Sequence, residues 1–251
     1  MTPVFLSSSQ IFASGGEVSG RESIYDISKN LERFVDIILA RVFSHSVIEE
    51  VSSNVKIPVI NALCDLHHPT QALADLMCIR WHNKDNKKIK VAYVGDGNNV
   101  ANSLVQILAK SGIDVAVATP PSYEIPSKEL EIAKSFAEQN NSKIEVTNSP
   151  IEAVSNADFI YTDTFISMGQ EEEKEKRLNE FKEFQVNLEL IKNAKPNVKF
   201  MHCLPAHRGE EVTDEIMDSK NSIVFDQAEC RMHIAKSLFW FFFEYLIENN
   251  N

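Results

Sequence analysis

The sequence predicts an α/β protein whose parallel sheets are covered by helices. Strand-like and helix-like segments alternate almost throughout its 251 residues, and several strand-like runs are apolar and of buried-strand length. The alternation is interrupted once, by the polar, charged connector Asn83-Lys84-Asp85-Asn86-Lys87-Lys88, and restarts after it. That connector is the best candidate for a domain boundary.

Before the connector, Pro3 to Leu6 reads as a short strand and Ser23 to Phe34 as an amphipathic helix. Asp36 to Ala40 reads as a buried strand, Ser46 to Ser53 as a short helix, Val59 to Ala62 as a strand and Pro69 to His82 as a helix. Beyond it, strands are expected at Ile89 to Val94, Asp114 to Ala118, Lys143 to Val146, Phe159 to Tyr161, Lys199 to His202 and Ser222 to Phe225. Helices are expected at Val100 to Ser111, Ser127 to Asn140, Ile151 to Ser155 and, finally, about Ala228 to Glu248. In the charged stretch Glu171 to Arg177, Glu172 with Lys176 and Glu173 with Arg177 have the favoured i,i+4 order, which predicts a solvated helix start.

A net charge of −11 and a pI near 5.1 argue against a nucleic-acid surface, which calls for clustered Lys and Arg. No run is apolar for the ~20 residues a bilayer span needs, so no membrane partner is expected. The N-terminus has no basic region and no cleavage site, so no signal peptide is expected. Cys64, Cys78, Cys203 and Cys230 show no C-x-x-C spacing, which disfavours a disulfide framework or a zinc site and reads as reducing cytosol.

Five segments carry candidate chemistry. Gly95-Asp96-Gly97-Asn98-Asn99 joins a strand to a helix, where backbone N–H groups suit an anion or carboxylate. It lacks the third glycine of a dinucleotide fingerprint, and the next strand ends without a ribose-binding acid. Asn98 suits a turn residue; Asn99 is open to a ligand role. In Asp65-Leu66-His67-His68-Pro69-Thr70-Gln71, at most one of the two histidines can face a ligand, and a His with a Gln three residues on can donate to a carbonyl or phosphate oxygen. Asp163 to Gly169 follows a buried strand, and Asp163 can supply the counter-charge for an ammonium group or cap a helix. His202-Cys203-Leu204-Pro205 ends another strand; Cys203 can face a ligand or fill the core, no Cys–His–Asn set favours a covalent thiol, and Leu204-Pro205 is a candidate cis bond. Arg41 and Arg231 can each fork onto a phosphate, although a surface ion pair explains either alone.

Together these segments resemble the ornithine carbamoyltransferases along nearly the whole chain. The resemblance is carried by Ala40-Arg41-Val42-Phe43-Ser44-His45, by H-P-x-Q-x-L-A-D within Asp65 to Asp75, and by Gly95 to Asn99. It continues through D-x-x-x-S-M-G at Asp163 to Gly169, H-C-L-P at His202 to Pro205, Pro205 to Val212, and Ala228-Glu229-Cys230-Arg231. The S-M-G motif points to ornithine rather than aspartate as acceptor.

The resemblance implies two α/β domains with the active site in the cleft between them. They would be 1–82 (plus about 232–251) for carbamoyl phosphate and 83–231 for ornithine, with the C-terminal helix returning to the first. It also implies a cytoplasmic homotrimer, or a multiple of trimers, in arginine metabolism, with no metal or organic cofactor. By motif match, Gln10, Arg41, His68, Gln71, Cys203, Leu204 and Arg231 would contact carbamoyl phosphate, with Cys203, Arg231 and His68 as the catalytic set. Gln10 would reach the phosphate of a neighbouring subunit, and Asn99, Asp163, Ser167 and Met168 would hold ornithine.

Departures from the family pattern carry expectations of their own. The family's S-x-R-T-R phosphate loop is not in this sequence, Met1 falling just after its place, so the first domain is expected to be N-terminally incomplete and its phosphate grip weaker. Cys230 stands where the family usually has Asn, and Ser19-Gly20-Arg21-Glu22-Ser23 is an altered G-R-G-E-S. A second reading is therefore a truncated, catalytically impaired relative that retains ornithine binding or assembly. A third, a nucleotide-dependent oxidoreductase, is disfavoured by the missing glycine and acid.

Overall fold

The computed structural model describes residues 2–7, 22–84, 87–167 and 170–249. Its chain divides into two compact units, Met1–Thr70 with Lys236–Asn251, and Gln71–Ala235. Gln10 and Met168, both expected in the site, lie outside the described residues.

In the first unit, helix α1 (Ile24–Leu31) is capped by Ser23, whose Oγ accepts the Asp26 N–H at 3.0 Å. Strands β1 (Ile38–Arg41) and β2 (Val59–Leu63) pair in parallel, Ile38 opposite Val59 and Ala40 opposite Asn61, with a register shift before Arg41. Parallel neighbours need a crossover, and α2 (His45–Asn54) supplies it. The Asp65 carboxylate accepts the His45 N–H at 2.8 Å, satisfying a first-turn donor of α2. The strand expected at Pro3 to Leu6 is not formed: residues 2–7 carry no regular structure, and Val4 and Phe5 are exposed. An apolar run of that length becomes a strand only where a neighbour takes up its backbone groups.

In the second unit, α3 (Pro69–His82), which opens in the last two residues of the first unit, leads into a five-stranded parallel sheet. Its strands are β3 (Lys90–Val94), β4 (Asp114–Ala118), β5 (Ile144–Thr147), β6 (Phe159–Thr162) and β7 (Lys199–His202), ordered β5-β4-β3-β6-β7. Helices α4 (Asn99–Lys110), α5 (Ser127–Asn140) and α6 (Pro150–Val154) alternate with the first strands. Helices α7 (Lys174–Glu180), α8 (Leu188–Ile191) and α9 (Asp214–Met217) follow.

Side chains of successive strand residues point to opposite faces. Val91 and Tyr93 therefore enter one apolar cluster with Leu104 and Leu108 of α4, while Ala92 and Val94 enter another with Val154 and Phe181. Both faces are covered, which is why β3 and β4 read as continuous apolar runs rather than as alternation.

Two further expectations are corrected. Ser222 to Phe225 is not a strand: only Ser222 bridges to Phe200, and the last helix, α10 (Val224–Asn249), begins two residues later. A short apolar run does not distinguish a buried strand from a helix start. Residues of α10 from Lys236 onward belong to the first unit, in keeping with the expected return of the C-terminal helix. Nor is Arg177 on a solvated face paired with Glu173. It is buried on α7 and pairs with Asp96. No described helix is long and apolar enough to cross a membrane.

Candidate functional site

The strand order reverses between β3 and β6, and open α/β sheets bind ligands beyond the carboxyl ends of their strands at such a switch point. Gly95 to Asn98 leave β3 there, Asp163 to Ser167 leave β6, and Cys203 and Leu204 leave β7.

Asp163 is the centre of this group. It is buried, and its Oδ1 accepts the Cys203 thiol and the Thr164 N–H, both at 2.8 Å. Its Oδ2 accepts Asn98 Nδ2 at 2.8 Å, and the same amide lies 3.5 Å from Ser167 Oγ. Asn98 is more than a turn residue. Its backbone is extended, and its Oδ1 caps α4 by accepting the Val100 and Ala101 N–H groups. One amide thus starts the helix and fixes the carboxylate. Asn99, half-buried at the first position of α4, accepts Ser103 Oγ with its carbonyl.

Burial, reinforced by the neighbouring Asp163 charge, holds the Cys203 thiol well above the ordinary cysteine range. Cys203 therefore keeps its proton and acts as a donor, which agrees with the absence of a Cys–His–Asn set. The Leu204-Pro205 peptide is cis, with Leu204 at φ +57°. The Leu204 N–H donates to His202 Nδ1 at 2.9 Å, so the imidazole proton sits on Nε2, which lies 3.1 Å from Glu211 Oε1.

The loops that present these groups are clipped from behind by Arg177. Its Nη2 donates to Asp96 Oδ2 at 2.5 Å and its Nε to the Phe165 carbonyl at 2.6 Å. The guanidinium carbon lies 4.7 Å from the Tyr123 ring centre and 5.1 Å from that of Phe181. Burial raises the Asp96 carboxyl to about 6, against the opposing pull of Arg177. Gly97 lets the β3 loop pass close to the next one: a Cβ there would sit 2.5 Å from the backbone of Glu124 and Ile125. Gly97→Ala must push two backbones apart and is expected to cost about 1–3 kcal/mol, the usual range for overpacking. Urea unfolding reads this directly, and an unchanged midpoint would mean that the loops separate freely.

A second polar group stands on α3 and α10. Gln71 is buried, and its Oε1 accepts Arg231 Nη1 in a short hydrogen bond. Gln71 Nε2 donates to Asp75 Oδ1 at 2.8 Å, Gln227 Nε2 donates to the same oxygen at 2.7 Å, and Tyr161 Oη donates to Oδ2 at 3.1 Å. Even so, burial outweighs these bonds and raises the Asp75 carboxyl from 3.8 to about 7. A raised acid binds more protons folded than unfolded. Its contribution to stability is fully present below about 3.8 and is lost as pH rises through about 7. Asp75→Asn is therefore expected to flatten the fall in stability between those pH values, by an amount on the order of a few kcal/mol. Urea titrations of both proteins at pH 4.5 and 7.5 would test this, and parallel profiles would refute it.

Of the remaining expected residues, Arg41 and His68 belong to the first unit. Arg41 is exposed at the end of β1, and His68 is buried, with Nδ1 3.5 Å from Thr70 Oγ1. His67 turns instead to Cys64 and His45: its N–H donates to the Cys64 sulfur, and the two imidazole rings lie 5.1 Å apart. Two described groups bring metal-type ligand atoms within 4.8 Å of one another, Asp163–His202–Cys203 and His207–Glu210–Glu211. In the first, both ring nitrogens of His202 are already hydrogen-bonded.

Sequence reasoning passed over Asn98, Asp96, Arg177, Asp75 and Gln227. Asp75 had a local signal in its i,i+4 spacing from Gln71 on one helix, and Asn98 in its place just before a helix.

The second unit thus has the open α/β architecture whose switch point suits a ligand. It carries a buried carboxylate flanked by amide and thiol donors, and an amide–guanidinium pair suited to a carbonyl or phosphate oxygen. A family model for the aspartate/ornithine carbamoyltransferase Asp/Orn binding domain matches residues 87–242, and the companion model for the carbamoyl-P binding domain matches residues 1–81. The chain belongs to the aspartate/ornithine carbamoyltransferase family. It is 49% identical over 235 residues to an ornithine carbamoyltransferase of Bacillus subtilis, covering 93% of this chain and 74% of that one. It is 51% identical over 218 residues to an anabolic ornithine carbamoyltransferase of Pyrococcus furiosus, covering 86% of this chain and 69% of that one. The solved P. furiosus ornithine carbamoyltransferase superposes with a TM-score of 0.84 at 50% identity, over 87% of this chain and 70% of that one.

Proposed function

We propose that this protein is an ornithine carbamoyltransferase, moving the carbamoyl group of carbamoyl phosphate to the δ-amine of L-ornithine to give L-citrulline and phosphate. The observation that carries the reading is the Asp163 cluster. A buried carboxylate held by Asn98 and Cys203 beside Ser167 suits the α-ammonium group of an amino acid, in relatives that carry that substrate's name.

The neutral δ-amine attacks the carbamoyl carbon, the C–N bond forms, and the C–O bond to phosphate breaks from a tetrahedral intermediate. The proton lost by nitrogen passes to phosphate. Alkyl amines titrate near ~10.4, so the site must favour the neutral amine over the ammonium form. In this reading Gln10, Arg41, His68, Gln71 and Arg231 hold carbamoyl phosphate, with Cys203 and the Leu204 carbonyl at the carbamoyl group. Asn99, Asp163, Ser167 and Met168 hold ornithine. Orientation of the two reactants and stabilisation of charge on oxygen supply the acceleration. Cys203 contributes as a protonated donor and forms no covalent bond.

Residues 1–82, with about 232–251, form the carbamoyl phosphate domain of this proposal, and 83–231 the ornithine domain. The two family-model ranges, 1–81 and 87–242, support a boundary at the 83–88 connector. The family resemblance further supports a cytoplasmic homotrimer, or multiple of trimers, in arginine metabolism. Citrulline formation from carbamoyl phosphate and ornithine by this chain tests the reading. Activity with ornithine and none with aspartate is expected; a folded chain that forms no citrulline, or prefers aspartate, would overturn it.

A further inference from the structure

We propose that Asp75 is a positioning residue for the carbamoyl phosphate side of the site: it dictates which way the Gln71 amide points and so where the Arg231 guanidinium lies. The inference rests on the reaction proposed above.

A glutamine amide is nearly symmetric in shape, and only its partners decide which end faces where. Asp75 is wholly buried one helical turn beyond Gln71, and as a carboxylate it can only accept. It therefore draws the Nε2 end of Gln71 toward itself, which turns Oε1 outward to accept Arg231. In the flipped orientation an amide donor would meet a guanidinium donor, and the amide oxygen would meet a carboxylate. Both contacts are repulsive, and the burial of Gln71 and Asp75 leaves them weakly screened. Gln227 extends the same control to the end of β7. Its Nε2 is fixed by Asp75, which presents its Oε1 to the His202 N–H at 2.9 Å. His202 in turn accepts the Leu204 N–H through Nδ1. Of the three hydrogen bonds to this carboxylate, two lead on toward Gln71–Arg231 and toward His202–Leu204, and the third comes from Tyr161. The ends of the first two are assigned above to carbamoyl phosphate, whereas Asp163 and Ser167 on the ornithine side are held by Asn98, and neither bonds to Asp75.

The test combines calorimetric titration of carbamoyl phosphate with steady-state citrulline formation for Asp75→Leu and Asp75→Asn. Asp75→Leu is expected to weaken carbamoyl phosphate binding and raise its KM tenfold or more, with the KM for ornithine within twofold. Asp75→Asn keeps an oxygen for both glutamine amides and can reverse the bond to Tyr161, so its binding is expected to stay within threefold. Adding Asp75→Leu to Gln71→Ala should weaken binding by less than the product of the two separate losses, because Asp75 acts partly through that amide and the remainder is its Gln227 arm. Should the leucine variant not fold, Asp75→Ser, too short to reach either amide, carries the same expectation. Equal loss for both substrates, additive losses in the double variant, or unchanged binding would each overturn the positioning role. Carbamoyl phosphate binding without citrulline formation by the unsubstituted chain would overturn the reaction alone, and the titrations would still decide on Asp75. No carbamoyl phosphate binding by that chain would overturn both.

Discussion

Asp163→Asn is expected to lower kcat/KM for ornithine roughly 150-fold, about 3 kcal/mol, the upper range for one charge-assisted hydrogen bond at a buried site. The substitution keeps the shape and leaves an oxygen to accept Asn98 or Cys203, so the loops have little cause to move. What it removes is the carboxylate that accepts from the Asn98, Thr164 and Cys203 donors and offers a counter-charge to the ammonium group. Burial of Asp163 leaves a charge there weakly screened, so its loss is felt strongly. Steady-state kinetics with ornithine varied at saturating carbamoyl phosphate gives the number directly. A fall of less than threefold would show that the ammonium group binds elsewhere.

Arg177→Leu is expected to destabilise the fold by about 3–5 kcal/mol, since removing one partner of a buried ion pair strands the other charge. Asp96 would lose its guanidinium partner at a position where burial already opposes its charge, and the Phe165 carbonyl would lose a donor. Leucine keeps contact with the Tyr123 and Phe181 rings, so lost packing contributes little to the change. Chemical denaturation measures the cost. Asp96→Leu with Arg177→Leu should recover part of it, because no lone charge remains buried. A loss below about 1 kcal/mol in the single variant would mean that water reaches Asp96 and replaces the arginine.

The elements that sequence periodicity located well are those whose partners are implied by their own composition. Lys199 to His202 and Pro69 to His82 form at the expected bounds, because an apolar strand between turns and a proline-initiated helix need nothing remote to specify them. Asp163, Ser167 and Cys203 were legible as strand-end residues, and the structure gathers them at one point. Arg177 was not. Charges at i,i+4 suit an exposed helix equally well, and its true partner lies 81 residues earlier. Gln227 was invisible for the same reason, bonding to Asp75 across 152 residues. Asn98 was half-read, since a helix cap is a local property and its grip on Asp163 is not. Pro3 to Leu6 and Ser222 to Phe225 show the converse failure, where local apolar content suggested strands that the tertiary surroundings do not complete.

The reversal of strand order also bears on the time course of folding. β3, β4 and β5 are neighbours both in sequence and in the sheet, so their pairings close modest loops. The joint between β3 and β6 is different: the Thr162 hydroxyl meets the Val94 carbonyl across 68 residues. Chain entropy opposes that closure more strongly, and remote pairings of this kind are slow to form. The switch point is thus a late seam in the folding nucleus's growth. Substitutions that loosen it, Arg177→Leu among them, should chiefly quicken unfolding and leave the refolding rate nearly unchanged. The joint that creates a place for ligands is expected to be, kinetically, where the second unit opens first, which unfolding rates of Arg177→Leu would check.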